Sequence, residues 1–104
     1  MTVIVKKPGK RVSTEEVDDM NQIYDIVSPS GKPEFDVFIR KHGIGIITSD
    51  YVDDSFANRN FVFHNRMIYG TVAFVGLDDD GKAKSLTVYQ MAIIENFMDH
   101  NAIG

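Results

Sequence analysis

Apolar positions alternate as in strands over most of the chain and fall into helical spacing twice. The longest apolar stretch runs from Ile68 to Leu77. In an extended chain, Ile68, Val72 and Phe74 lie on one side of it and Tyr69, Ala73, Val75 and Leu77 on the other. A strand apolar on both faces must be covered on both, so this one is expected at the centre of a sheet. Asn65 and Arg66 form its polar start, and Asp78-Asp79-Asp80-Gly81 ends it with turn residues.

Upstream, the β-branched run from Thr2 to Lys6 predicts a strand, broken by Lys7-Pro8-Gly9-Lys10. Ser13-Thr14-Glu15-Glu16 has the form of a capping box, with Ser13 as N-cap and Val12 and Val17 as its hydrophobic staple. Val17, Met20, Ile23, Tyr24 and Val27 follow at helical spacing. A helix is therefore predicted from Ser13 to about Val27, where Pro29 holds Ser28 out of helical geometry. After a loop to Pro33, Phe35, Val37 and Ile39 alternate with Asp36, Phe38 and Arg40. With the turn Lys41-His42-Gly43 and the run Ile44 to Thr48, they predict a hairpin from Glu34 to Thr48. Ser49 to Asn60 is polar and long enough for a functional or mobile loop, with Tyr51, Val52 and Phe56 expected to tuck back onto the body. Phe61-Val62-Phe63 reads as a short strand. Thr87 and Gln90 form a second capping box, with Leu86 and Met91 as staple. It opens a C-terminal helix whose apolar positions Met91, Ala92, Ile94 and Met98 are flanked by Tyr89, Ile93 and Phe97. So broad a surface covers a sheet or also meets a partner.

These elements predict one α+β domain over residues 1–104. Its sheet has four to five strands, mixed or antiparallel, with a helix after the first strand and a C-terminal helix, both packed on the sheet. The absence of cysteine excludes a disulfide scaffold, a thiolate nucleophile and a cysteine-ligated metal, and fits the cytoplasm. No run approaches the roughly 20 apolar residues of a membrane helix, and the first residues lack the pattern of a signal peptide. A cytoplasmic protein without a membrane partner is expected. The net charge of −4 is uneven. Lys6, Lys7, Lys10 and Arg11 carry four of the 11 basic groups, while all 15 acidic groups lie beyond them. A small basic patch on an acidic body argues against general nucleic-acid binding.

Candidate chemistry centres on Asn65 and Arg66. The guanidinium offers a planar fork of donors for a carboxylate or phosphate, the amide adds a donor beside it, and Gly70-Thr71 allows close backbone approach. Tyr69 adds contact area with a polar tip, and the acidic loop with Asp50, Asp53 and Asp54 is expected alongside. Two readings stay open: these residues form a recognition surface for a ligand or partner, or Arg66 braces one of the loop carboxylates. Asp78 does not start an EF-hand, because the twelfth position is Tyr89 rather than Glu. His42, His64 and His100 lack the spacing of a helical zinc site, and no serine stands in a nucleophile elbow. No catalytic residue, metal ligand or cofactor is assigned.

Several short motifs, in order, resemble a small uncharacterised bacterial, phage and mobile-element family, catalogued as domain of unknown function thirty-eight forty-six. They are Val5-Lys6-Lys7-Pro8-Gly9-Lys10, Ile26-Val27, Asn65-Arg66, Tyr69-Gly70-Thr71-Val72-Ala73-Phe74-Val75-Gly76 and Ser85-Leu86-Thr87. Where that family carries an Asn-Glu-Glu-Gly-like turn, Ser49-Asp50-Tyr51-Val52-Asp53-Asp54 stands here. The resemblance implies a small α+β fold and a provenance, not a mechanism. The expectation is a non-enzymatic interaction or regulatory protein of phage or mobile-element origin. It would modulate a host defence system through a host or element-encoded protein partner. The alternative is a binder of a small anionic, nucleotide-like ligand.

Overall fold

The structure, a computed structural model, describes residues 1–50 and 52–103. Its elements follow the order β1 (Thr2–Lys6), β2 (Ser13–Glu16), α1 (Met20–Val27), β3 (Pro33–Ile39), β4 (Ile44–Ser49), β5 (Arg59–Phe63), β6 (Arg66–Tyr69), β7 (Val72–Leu77), β8 (Ala83–Lys84) and α2 (Val88–Asn101). Five strands form an antiparallel sheet in the order β2-β1-β7-β4-β3, with the short β8 as a sixth, also paired to β7. β5 and β6 form a separate two-stranded hairpin. The α+β class is as expected. The sheet has one strand more than the four to five predicted, and the first helix follows the second strand.

The middle of the sheet explains the chain's apolar pattern. On β7, Val72 and Phe74 join one core cluster with Ile4, Ile44 and Ile46 of the neighbouring strands and Ile94 and Met98 of α2. Ala73 and Val75 join the other cluster with Val3, Val5 and Ile47 and with Ile23 and Val27 of α1. β1, β7 and β4 are thus apolar on both faces because α1 covers one face and α2 with the β5–β6 hairpin covers the other.

The predicted continuous strand from Ile68 to Leu77 is in fact two. Gly70 has φ +78°, a left-handed conformation that glycine adopts at little cost, and it turns the chain out of the hairpin into the sheet. A Cβ there would stand 2.9 Å from Val52 Cγ1, so the approach of the long loop also requires glycine. Asn65 is accordingly not the start of the central strand. With His64 (φ 51°) it makes the tight β5–β6 turn, φ 62° at Asn65, as in the mirror-image turns that suit hairpin twist.

The first capping box is also corrected. Ser13–Glu16 pairs with Val5–Thr2 as an exposed edge strand rather than opening a helix. Lys7-Pro8-Gly9-Lys10 makes this hairpin: Lys10 N–H donates to Lys7 O at 3.1 Å, with Gly9 at φ +70°. A capping box is a local signal, and the open edge of β1 outweighed it by supplying a ladder partner. The helix starts six residues later, where Asp19 accepts from Gln22 N–H at 3.2 Å. Asp19→Ala is therefore expected to cost about 0.5–2 kcal/mol. Ser13→Ala should stay within about 0.5 kcal/mol. Denaturant melts that ranked the two the other way would contradict this assignment.

The second capping box is present in full. Gln90 N–H donates to Thr87 Oγ1 at 3.1 Å and Thr87 N–H to Gln90 Oε1 at 2.9 Å. The Gln90 amide also donates to His42 O and Gly43 O, tying α2 to the β3–β4 turn. At the acidic turn, the Lys82 and Asp80 N–H groups donate to Asp78 Oδ1, and the Lys82 bond foremost holds that carboxyl below its ordinary range.

The β3–β4 hairpin is where it was expected, but its faces differ. Phe35 is exposed and Phe38 is buried, after a bulge between Val37 and Ile39. Phe38 is the hub of an aromatic cluster, with ring centroids 4.6 Å from Phe63, 4.8 Å from Phe74 and 5.1 Å from Phe97. In the long loop, Val52 packs against Gly70, whereas Phe56 does not tuck in and is 79% exposed. Tyr51 lies outside the described residues.

Candidate functional site

Alternation along β6 decides what Arg66 can reach. Arg66 and Ile68 fall on one face of the strand, and Met67 and Tyr69 on the other. Arg66 and Ile68 both line a cleft of about 630 Å³ between the hairpin and β3. Phe63 and Ile68 on the hairpin, with Ile46 of the main sheet, give it apolar walls, while Phe35 and Val37 border it from the edge strand with their side chains turned to the α1 face. Its rim is polar: Arg66 and the His64 ring stand on the hairpin side, and Glu34 and Asp36 on β3. The His64 ring lies 4.1 Å from that of Phe63, which places it over the hairpin's end. Arg66 is exposed and makes no ion pair with these carboxylates or others among the described residues.

The free edge of β3 borders the cleft, but it is blunted against strand pairing. Pro33 has no N–H, and the Val37 N–H is taken by Asp36 Oδ1 at 2.8 Å. Recognition here therefore falls to side chains rather than to a backbone ladder.

The six residues singled out in the sequence do not converge. Asn65 and Arg66 lie at the hairpin turn. Tyr69 is at the other end of β6, opposite Arg59, roughly 10 Å along the strand from Arg66 by strand rise. Two of the three loop carboxylates are taken up by backbone N–H groups. Asp50 Oδ1 accepts from Lys32 N–H at 2.6 Å, and Asp53 Oδ1 from Ser55 N–H at 3.1 Å. Asp54 is exposed, with no hydrogen bond or ion pair among the described residues. The loop meets the Tyr69–Gly70 end of the hairpin, where Gly70 N–H donates to Asn58 O at 2.8 Å. The brace from Arg66 to Asp50, Asp53 or Asp54 is not formed.

Sequence reasoning passed over a second constellation. Lys6 continues the phase of Ile4 on β1 and is buried on the α2 side of the sheet, 2% exposed. Its ammonium donates to Asn60 Oδ1 at 2.9 Å and to Lys7 O at 2.9 Å. No carboxylate among the described residues pairs with it. Asn60, also buried, returns its amide to Lys6 O at 2.9 Å and to Gly70 O at 2.7 Å. The pair locks β1 to the hairpin and to the bend before β7. Burial lowers the lysine's proton affinity from its ordinary value. The signal available in the sequence was an ionisable residue in phase with a core position at the end of an apolar strand.

Among the described residues, no group of three or more histidine, aspartate or glutamate side chains could hold a metal ion. No helix among them is long and apolar enough to cross a membrane. No family model, curated protein or solved structure matches the chain.

Proposed function

We propose that this chain is a non-enzymatic interaction protein and that the cleft between β3 and the β5–β6 hairpin is its principal recognition surface. The observation that carries the reading is Arg66, exposed and without an ion pair among the described residues, on the rim of an apolar-walled cleft. An arginine beside aromatic and aliphatic surface is a common composition for a binding hot spot. The facing Glu34 and Asp36 favour a protein partner over a small anion, because carboxylates across the cleft repel an anionic ligand. A polypeptide can instead present an acidic group to Arg66 and a basic group to β3. The partner in this reading is a host or element-encoded cytoplasmic protein, and the effect on it is regulatory. The family resemblance supports that provenance.

The test is Arg66→Gln. With a photo-crosslinking residue at position 48, which lines the cleft in phase with Ile46, the chain is expected to trap a discrete partner from host cells. Arg66→Gln should weaken binding of that purified partner by roughly 30-fold, the scale of a 2 kcal/mol hot spot. Its melting temperature should stay close to wild type, as for other exposed positions. Undiminished binding, or a loss that merely follows unfolding, would refute the assignment.

A further inference from the structure

On the far side of α2 from the β3–β4 turn, a groove of about 780 Å³ runs between the β1–β2 turn and the end of the helix. Lys6, Lys10 and Arg11 contribute to one wall, and Glu95 and Asp99 of α2 to the other. An ammonium has three N–H donors, and Lys6 uses two of them, on Asn60 Oδ1 and Lys7 O. One donor and the whole positive charge are left without an acceptor or counter-ion among the described residues. Burying such a charge is costly unless something at the site offsets it. Lys10 and Arg11 are exposed beside it, and neither is ion-paired to Glu95 or Asp99. Lys10 is held in place by the bond from its N–H to Lys7 O, the same carbonyl that receives the Lys6 ammonium. Three cations thus converge on one groove.

We infer that this groove is a binding site for a small phosphate-bearing molecule, with the phosphate held by Lys6, Lys10 and Arg11. Arginine gives the fork that matches two phosphate oxygens, and the lysines add point charges. Asn60 orients the Lys6 ammonium from behind as a positioning residue. Glu95 and Asp99 would repel a second anionic group, so the remainder of the ligand carries hydroxyl or amine donors rather than further charge of the same sign. The site is distinct from the Arg66 cleft, and neither depends on the other.

The probes are inorganic phosphate and adenosine monophosphate, each compared with sodium chloride at matched ionic strength. The site predicts a dose-dependent rise in melting temperature with phosphate, and amide shifts centred on Gly9, Lys10 and Ile103 in a nitrogen–proton spectrum. Arg11→Gln, at an exposed position that leaves the fold intact, should weaken phosphate binding about tenfold, the loss of one charge-assisted contact. Lys6→Met should abolish it. Tighter binding of the nucleotide than of phosphate would assign the Glu95 and Asp99 wall to the ligand's hydroxyl groups. Equal binding would confine recognition to the phosphate. Stabilisation by phosphate no greater than by chloride, or phosphate binding unaltered by Arg11→Gln, would overturn the inference. If Lys6→Met fails to fold, the Arg11→Gln comparison and the position of the amide shifts decide alone.

Discussion

Replacing Phe74 with alanine is expected to destabilise the protein by about 3–5 kcal/mol, a large part of the stability of a domain this size. Phe74 is fully buried on the central strand β7. Its register partners are Ile4 on β1 and Ile46 on β4, so both neighbouring strands lose contact with it at once. Its ring also packs 4.8 Å from Phe38 and 6.2 Å from Phe61, beneath the hairpin and α2. The surrounding side chains belong to five different elements and cannot collapse together into the space left. Denaturant unfolding of Phe74→Ala checks this, and a loss below about 1 kcal/mol would show that β7 does not hold the two layers together.

Asn60→Ala is expected to cost about 3–4 kcal/mol, more than its small side chain suggests. The change removes an acceptor from the buried Lys6 ammonium and the donor from two carbonyls, Lys6 O and Gly70 O. Each buried group left unsatisfied costs about 1–3 kcal/mol, more when charged. Lys6→Met should cost less, because it removes the charge instead of stranding it. The double variant should then fall short of the sum, since the two residues share one network. Strict additivity, or a loss at Asn60 under about 1 kcal/mol, would refute the network.

The pH dependence carries a matching sign. Burial lowers the Lys6 pKa in the folded state below its ordinary 10.5. Between the lowered and the ordinary value the unfolded chain holds more protons than the folded one, so stability rises with pH there. Wild type should gain on Lys6→Met across that alkaline window, and the difference should level off above it. A difference that is flat or falling through the window would show that the ammonium is not desolvated.

Much of the architecture was legible because it rests on signals a few residues long. The β1 strand, the β3–β4 hairpin, the Asp78 turn and the Thr87 box each combine local propensity with a pattern that tertiary packing also satisfies. The double-faced apolar run correctly pointed to the centre of a sheet, for a central strand has no exposed face. Where the sequence misled, two local signals competed and a distant partner chose between them. Ser13 and Asp19 both resemble N-caps, and the open edge of β1, itself held in place by β7, took the first as a strand. Phe35 and Phe38 are both aromatic on an alternating strand, and the bulge after Val37, with the aromatic cluster waiting on the α2 side, decided which was buried.

The candidate sites divide in the same way. Arg66 could be singled out from sequence, because an exposed arginine beside an apolar run is visible in one dimension. Its neighbours could not. Alternation and the register of β5 against β6 send Tyr69 to the opposite face and end of the hairpin, and the cleft's other wall comes from β3, some thirty residues away in the chain. Lys6 was hidden for the converse reason: at the end of a strand, beside Lys7, it reads as one more solvated charge. Only the docking of the hairpin and α2 over that strand end buries its ammonium against Asn60, 54 residues along the chain. Propensity and alternation act between neighbours and determine which segments become strands and helices. Burial, electrostatic isolation and the convergence of side chains act between segments distant in sequence, so the tertiary structure alone decided them.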